Sequence, residues 1–340
     1  MLFTLSNELF EPQNQELHWL NKILNSCLEQ HSLIIDPNYI DTEVVEASDW
    51  YNQTNEVEKI LYQEAFTQTI QAPPNKQSFK VIIGQSFSAH EAYIFLSEHL
   101  TILVENSQND STFLRALFGA FSDEAPDLNY HRQNMWLRFG MGGGATAIPQ
   151  VIDTEIQRFL EAGIPTERCN KFLRYLVLID SDKKSPDEPY KNELQSLIST
   201  LENQGIPYHV LEKREMENYL PCEVLNNFKE NNKFIEYYLN LSPVQKDFFD
   251  LEKGFPGKRF DQLEANVQEL YADLSDTVKK EFRKSDLKKF TGTDRNDFKS
   301  EFPKLFETEL VNKKSLLART KHQQNPNELR EIINKVRELL

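Results

Sequence analysis

The sequence lacks the features that mark secreted, membrane-spanning and zinc-stabilised proteins. Its three cysteines, Cys27, Cys169 and Cys222, lie far apart and form no C-x-x-C pair. A disulfide framework and a structural zinc site are therefore not expected, and the cytoplasm is the expected compartment. No run approaches the roughly 18 consecutive apolar residues of a membrane-spanning helix, so we expect no membrane partner. The opening segment, MLFTLSNELFEPQNQ, has no basic stretch followed by a long apolar one, so no secretory signal is expected.

Nucleotide-binding motifs are also missing from the sequence. No G-x-x-x-x-G-K-[ST] motif occurs, and the glycine-rich run Gly140-Met141-Gly142-Gly143-Gly144 does not read G-x-G-x-x-G. We therefore expect that this chain does not hydrolyse ATP by itself. The glycine run either lets the backbone approach a phosphate or makes a tight strand-to-helix turn.

Positive charge is scarce and unevenly distributed. The chain of 340 residues has a formal net charge of −15 at pH 7, yet residues 276–340 carry 16 Lys and Arg against 11 Asp and Glu. The acidic body argues against a general nucleic-acid coat, whereas the basic tail allows local contact with a phosphate backbone. Four basic residues of the tail would share one side of a helix: Lys280, Arg283, Lys284 and Lys288. This stripe is either a nucleic-acid contact or a solvated or partner-docking face.

Short apolar runs in the middle of the chain predict β-strands. Four such runs lie at residues 100–104, 135–139, 175–179 and 208–211. Helix-length amphipathic segments accompany them at residues 112–121, 147–162 and 190–204. Strands that alternate with helices at this spacing predict an α/β fold, a small parallel sheet with crossover helices. His209 alternates with apolar residues in the last run and is expected to be a core histidine with satisfied hydrogen bonds.

The segments on either side of this middle region are predicted to be mainly helical. Leucine and isoleucine recur at three- and four-residue spacing within residues 17–28, as on one apolar face of a helix. The capping-box pattern Ser88-Ala89-His90-Glu91 opens another predicted helix. We therefore divide the chain into a mainly helical N-terminal region at 1–97, a central α/β domain at 98–225 and a helical C-terminal region at 226–340.

Acidic residues follow three of the four predicted strands. The first strand ends at Glu105, the third runs into Asp180-Ser181-Asp182, and the fourth leads through Lys213-Arg214-Glu215-Met216-Glu217. The carboxyl ends of neighbouring parallel strands meet at one edge of a sheet, which is where function is placed in such folds. Carboxylates brought together resist joint ionisation unless cations neutralise them. Mg²⁺ or Mn²⁺, shared with water and phosphate oxygens, is the natural counter-ion.

The first strand ends in a glutamate, the second leads into a glycine-rich turn, the third ends in Asp-x-Asp, and the fourth leads into further acids. These four features in this order resemble a TOPRIM domain, the fold shared by topoisomerases, bacterial primases and OLD-type nucleases. The resemblance covers about residues 98–225, and residues 214–221, REMENYLP, are similar to the segment that closes the domain in OLD-like nucleases. It implies metal-dependent phosphodiester chemistry with Glu105, Asp180 and Asp182 as the acidic core. Glu217 is implied as a ligand of a second metal ion, with Glu215 as an open addition.

The chain departs from the family pattern at its first acidic motif. Asn106 stands where the family usually has glycine, and Asp110 lies five residues after Glu105, where the family usually has aspartate four residues after. Whether Asp110 is a metal ligand therefore stays open. The zinc-ribbon cysteines of primases, the strand-passage domain of topoisomerases and the ATPase half of full OLD proteins are not recognisable. The resemblance is thus to a stand-alone OLD-like nuclease, which implies a bacterial anti-phage effector with a separate ATPase subunit.

The resemblance implies two Mg²⁺ or Mn²⁺ ions with separate tasks. Glu105 and Asp180 would hold the ion that activates water, and Asp180 and Asp182, with help from Glu217, would hold the ion at the leaving oxygen. Five residues are candidates for substrate binding: Gly142, Gly143, Gly144, Lys213 and Arg214. For the last two, clamping a phosphate and pairing with neighbouring acids are equally open.

The expected function is therefore metal-dependent cleavage of DNA or RNA. The alternative is a non-catalytic nucleic-acid-binding or assembly subunit in which the TOPRIM-like fold is structural, because a fold does not settle a function.

Overall fold

The computed structural model is an α/β protein with two small parallel sheets and many helices. It describes residues 1–11, 17–71, 80–226, 232–251, 253–255, 259–283 and 303–340. The chain divides into two compact units: residues 1–100, 158–174 and 338–340 form the first, and residues 101–157 and 175–337 form the second. None of the helices in the described ranges is long and apolar enough to cross a membrane.

The first unit contains a three-stranded sheet that the sequence analysis did not predict. Strand β1 (Leu2–Leu5) lies between β2 (Ser32–Leu33) and β3 (Val81–Ile83), and both pairings are parallel. The expectation of a mainly helical N-terminal region missed this sheet because strands of two to four residues are too short to show a period-two pattern. Its α-helices lie at Leu17–Ser26, Thr42–Ala47, Asp49–Gln53, Glu56–Gln71, Ala89–Ser97 and Thr166–Cys169.

Two helices of the first unit confirm the sequence patterns that predicted them. Helix Leu17–Ser26 buries Leu20, Ile23 and Leu24 on one face. At the start of helix Ala89–Ser97, the Glu91 amide donates to the Ser88 hydroxyl at 3.2 Å, and the Ser88 amide donates to the Glu91 carboxylate at 2.8 Å. This reciprocal pair satisfies two amides at the helix N-terminus, which is the structural basis of the capping box.

The second unit contains a four-stranded sheet whose strands agree with the predicted apolar runs to within two residues. The strands are β4 (Leu100–Val104), β5 (Leu137–Met141), β6 (Tyr175–Ile179) and β7 (Tyr208–Val210), in the order β5-β4-β6-β7. β4 pairs with β6 in parallel, and β6 pairs with β7 in parallel. Every residue of β4 and β6 is buried, as expected for strands covered on both faces.

Helices accompany these strands where the sequence predicted them. The helices that lie between these strands along the chain are Asp110–Ala120, Pro126–Gln133, Ile148–Glu161 and Asn192–Gln204. Later helices lie at Cys222–Asn226, Asn232–Leu239, Pro243–Phe248, Ala265–Leu270, Asp276–Phe282, Lys313–Thr320 and Glu328–Leu339. The predicted division into three regions stays a prediction.

The predicted basic stripe lies only partly in the described structure. Lys279 and Lys280 are in the last turn of helix Asp276–Phe282, and Arg283 caps it. Lys284 and Lys288 lie outside the described residues. The common face of the four stripe residues therefore stays a prediction.

Candidate functional site

The strand ends of the second sheet bring two acid-bearing loops together. Glu105 follows β4 directly, and Asp180 follows β6 directly. The Met216 amide donates to the Asp180 carboxylate at 3.1 Å, and the Asp182 amide donates to the Arg214 carbonyl at 2.9 Å. The loop after β7 is thus held against the end of β6, as expected for neighbouring parallel strands.

Asp180 lies among other carboxylates. Burial raises its pKa well above the usual range, and the negative charges of Glu217, Asp110, Glu215 and Glu105 raise it further. Like charges shift a pKa in this way only when they lie close enough to disfavour ionisation. Asp180 thus feels the charges of the predicted residues Glu105 and Glu217, and also those of the two open candidates, Asp110 and Glu215. We call these five residues the acid cluster.

Asp182, predicted as part of the acidic core, is turned towards a cation instead. Its backbone is left-handed, with φ of 55°, a conformation that few residues other than glycine adopt. Its carboxylate pairs with Lys191 at 2.7 Å and is about half exposed, at 46%. Burial is the largest cause of the raised pKa of Glu215, and the negative charge of Asp182 raises it further. Asp182 therefore still lies near the acid cluster.

The acid cluster has the donor chemistry for a hard divalent cation. Carboxylate oxygens are the ligands that Mg²⁺ prefers, and a cation would relieve the repulsion that raises the pKa of Asp180. The positions of these carboxylate oxygens suit a metal ion less well than their chemistry does. Within the described ranges, no group of three or more His, Cys, Asp or Glu side chains is arranged to hold a metal ion.

The glycine run forms a tight turn between β5 and helix Ile148–Glu161. The amides of Gly142 and Gly143 donate to the carbonyls of Val104 and Glu105, at 2.6 and 3.0 Å. A Cβ atom on Gly142 would meet Ile148 Cγ1 at 2.7 Å, and Gly144 has φ of +86°. Two of the three glycine amides considered for a phosphate thus already have backbone partners, so the geometry favours the tight-turn interpretation.

Lys213 and Arg214 pair with neighbouring acids, the alternative that the sequence left open. Lys213 is fully buried, contacts the Asp247 carboxylate and donates to the Arg319 carbonyl at 2.9 Å. Burial lowers the pKa of Lys213 to about 7, and the charge of Arg319 acts in the same direction. Because this amine does not reach the surface, it is not placed to contact a substrate.

Arg214 bridges two carboxylates beside the acid cluster. Its Nε donates to Glu215 Oε1 at 3.0 Å, and its Nη2 donates to Asp250 Oδ2 at 2.8 Å. The side chain is 15% exposed. Arg214 therefore remains at a position from which it can contact a ligand.

A buried polar network behind the loop after β7 was not predicted. The fully buried Glu328 carboxylate accepts from the Glu212 amide at 2.7 Å, from the Tyr219 hydroxyl and from Gln323 at 2.8 Å. His209 Nε2 lies 3.1 Å from the same carboxylate, which confirms the expectation of a core histidine with a partner. The alternation around His209 was the one sequence feature that pointed to this network.

Comparison of the chain with protein-family models, with curated proteins and with solved structures found no match. The resemblance to TOPRIM domains therefore rests on the sequence motifs, and the function has to be argued from the site.

Proposed function

We propose that this chain is a metal-dependent phosphodiester hydrolase that cleaves DNA or RNA at the acid cluster. The observation that carries the proposal is that Glu105 and Asp180 directly follow the paired parallel strands β4 and β6, and that the Met216 amide, between Glu215 and Glu217, donates to the Asp180 carboxylate. Such an arrangement is unfavourable without cations, and a pair of divalent ions held by carboxylates is what metal-assisted phosphodiester cleavage uses. The position of the cluster beyond parallel strand ends supports the same proposal.

The residues of the cluster have separate tasks in this proposal. Glu105 and Asp180 would hold one Mg²⁺ or Mn²⁺ ion, and Asp180 and Glu217 would hold a second. Such ions supply an activated water and stabilise charge on the leaving oxygen. Asp110 and Glu215 add negative charge that strengthens cation binding. Asp182 joins only when its ion pair with Lys191 opens.

The proposal extends to the setting in which the enzyme works. The chain has no Walker motif, and the motifs that resemble OLD-like nucleases favour an effector of bacterial anti-phage defence. In that setting a separate ATPase subunit would control cleavage.

A second candidate is a nucleic-acid-binding or assembly subunit without catalysis. Two observations favour it: the Asp182 carboxylate is engaged by Lys191, and no preformed three-ligand metal site occurs among the residues that the structure describes. A cleavage assay that varies the metal separates the two candidates.

The test uses the full chain with labelled single-stranded DNA, duplex DNA and RNA in Mg²⁺, Mn²⁺ or EDTA. We expect cleavage in Mg²⁺ or Mn²⁺ and none in EDTA. Asp180→Asn should reduce the rate by about 100-fold or more, because an ion that contributes several kcal/mol to the transition state loses a ligand. Asp187→Asn, at an exposed acid outside the cluster, is the matched control and should cleave normally.

Cleavage that persists in EDTA, or that survives Asp180→Asn, would overturn the proposed hydrolase. Nucleic-acid binding without cleavage in any of these metals would instead support the second candidate.

A further inference from the structure

A half-exposed ion pair joins the two ends of the loop after β6. Lys191 Nζ lies 2.7 Å from the Asp182 carboxylate, and the two side chains are 53% and 46% exposed. Lys191 is the residue before helix Asn192–Gln204, so the pair connects the strand end to the start of the next helix. Among the residues that the structure describes, no other cation pairs with Asp182.

Hydrogen bonds hold the backbone on the Asp182 side of this loop. The Asp182 amide donates to the Arg214 carbonyl at 2.9 Å, and the hydroxyl of the buried Ser181 donates to the Lys213 carbonyl at 2.7 Å. The left-handed φ of 55° at Asp182 is one that aspartate tolerates better than most residues do. These contacts anchor Asp182 beside the loop after β7, which carries two members of the acid cluster.

Lys191 is placed as a counter-ion at the edge of the acid cluster. Arg214, whose carbonyl accepts from the Asp182 amide, donates from its Nε to Glu215 of the cluster at 3.0 Å. Asp182 and Glu215 are therefore linked through one residue. Carboxylates gathered in one place need positive charge nearby, and Lys191 supplies one such charge from within the chain.

A lysine ammonium and a divalent ion compete for the same carboxylate oxygens. A carboxylate oxygen that accepts from an ammonium at 2.7 Å has to give up that contact when it binds a metal ion. An exposed ion pair contributes little free energy, so it exchanges readily. The buried pair of Lys213 with Asp247 differs in this respect, because breaking it leaves charges without solvent.

We propose that Lys191 is a positioning residue that acts through Asp182: its ammonium occupies a carboxylate that a second divalent ion would use, and an ion that binds there displaces it. The inference rests on the proposed function, and it adds a control on how tightly the second ion is held. A lysine of the chain, and not only its acids, thus sets the metal concentration at which the site fills.

The test measures Mn²⁺ binding to the full chain by electron paramagnetic resonance of the free ion, a readout that does not depend on cleavage. Lys191→Met should tighten the weaker Mn²⁺ site about fivefold, the upper range of what one exposed ion pair contributes. If the wild type binds a single ion, a second ion bound by Lys191→Met has the same meaning. Lys191→Arg keeps the cation and should stay within about twofold of the wild type.

Two controls separate the ion pair from a general effect of charge. Lys184→Met removes the same charge two residues from Asp182, at a lysine that pairs with Glu264 at 2.5 Å, and should change Mn²⁺ affinity by less than about twofold. In a chain that carries Asp182→Asn, Lys191→Met should have no further effect, since no carboxylate remains to be released.

Equal Mn²⁺ binding by Lys191→Met and the wild type, an equal gain in Lys184→Met, or a gain that persists beside Asp182→Asn would each overturn the role of Lys191. Metal-dependent cleavage by the wild-type chain would then leave the proposed function standing. No Mn²⁺ binding by the wild type or any variant, together with no cleavage, would overturn both.

Discussion

The surroundings of Asp180 disfavour the ionised form of its carboxyl group. Burial and the neighbouring carboxylates raise its pKa, so the folded protein binds the Asp180 proton more tightly than the unfolded chain does. The stability that this proton contributes is present below the unfolded pKa of about 4 and is lost as pH rises through the raised pKa. Metal-free stability should therefore fall across that window of pH.

We predict that Asp180→Asn makes the metal-free protein at least as stable as the wild type at neutral pH. The amide removes the repelled charge yet keeps an oxygen that accepts from the Met216 amide. The Tm in EDTA should rise by on the order of a few degrees at neutral pH and vary less with pH. Thermal unfolding followed by circular dichroism checks this, with Asp187→Asn as the control. A lower Tm for Asp180→Asn at every pH would show that the carboxylate stabilises the fold.

At the scale of elements, Asp247 joins three segments of the second unit. It lies in helix Pro243–Phe248 and contacts Lys213, which follows β7. It also accepts from Arg319 of helix Lys313–Thr320 at 3.1 Å and lies 2.6 Å from His322 Nε2. Removing one partner of a buried ion pair leaves the remaining charges unpaired, which costs about 3–5 kcal/mol.

We therefore predict that Asp247→Ala lowers the free energy of unfolding by about 3–5 kcal/mol, because Lys213 and Arg319 both lose their counter-charge. Lys213→Met should cost less, since Asp247 keeps Arg319 and burial has already lowered the pKa of Lys213 to about 7. Urea denaturation measures both values. Asp261→Ala, at an exposed acid, is the control and should change stability by no more than about 0.5 kcal/mol. Equal losses of unfolding free energy in Asp247→Ala and Lys213→Met would contradict the expectation that removing the shared carboxylate costs more than removing one of its partners.

At the scale of the whole molecule, the sequence has no motif for nucleotide turnover. We predict that the purified chain releases no phosphate from ATP above background, with or without nucleic acid, because no Walker loop is present to hold the β- and γ-phosphates. Asp180→Asn should show the same background. ATP turnover that increases with the concentration of the chain and elutes with it would contradict this prediction.

The sequence by itself determined most of the strands of the second sheet and which acidic residues follow each strand. β4 and β6 were predicted at their observed bounds because both are buried on both faces and therefore read as uninterrupted apolar runs. The helix after Ser88 was predicted from its capping box, since that pattern is local in the chain. Local patterns also placed Glu105 and Asp180 directly after their strands.

Only the tertiary structure decided which side chains meet. Asp182 lies only two residues beyond Asp180, but its backbone is left-handed and its carboxylate pairs with Lys191, and a motif does not encode that direction. The hydrogen bond from Tyr219 to Glu328 joins residues 109 positions apart. The sheet of the first unit likewise pairs Leu5 with Ile83. Contacts at such separations depend on how whole elements pack, whereas periodicity and capping depend only on neighbours in the chain.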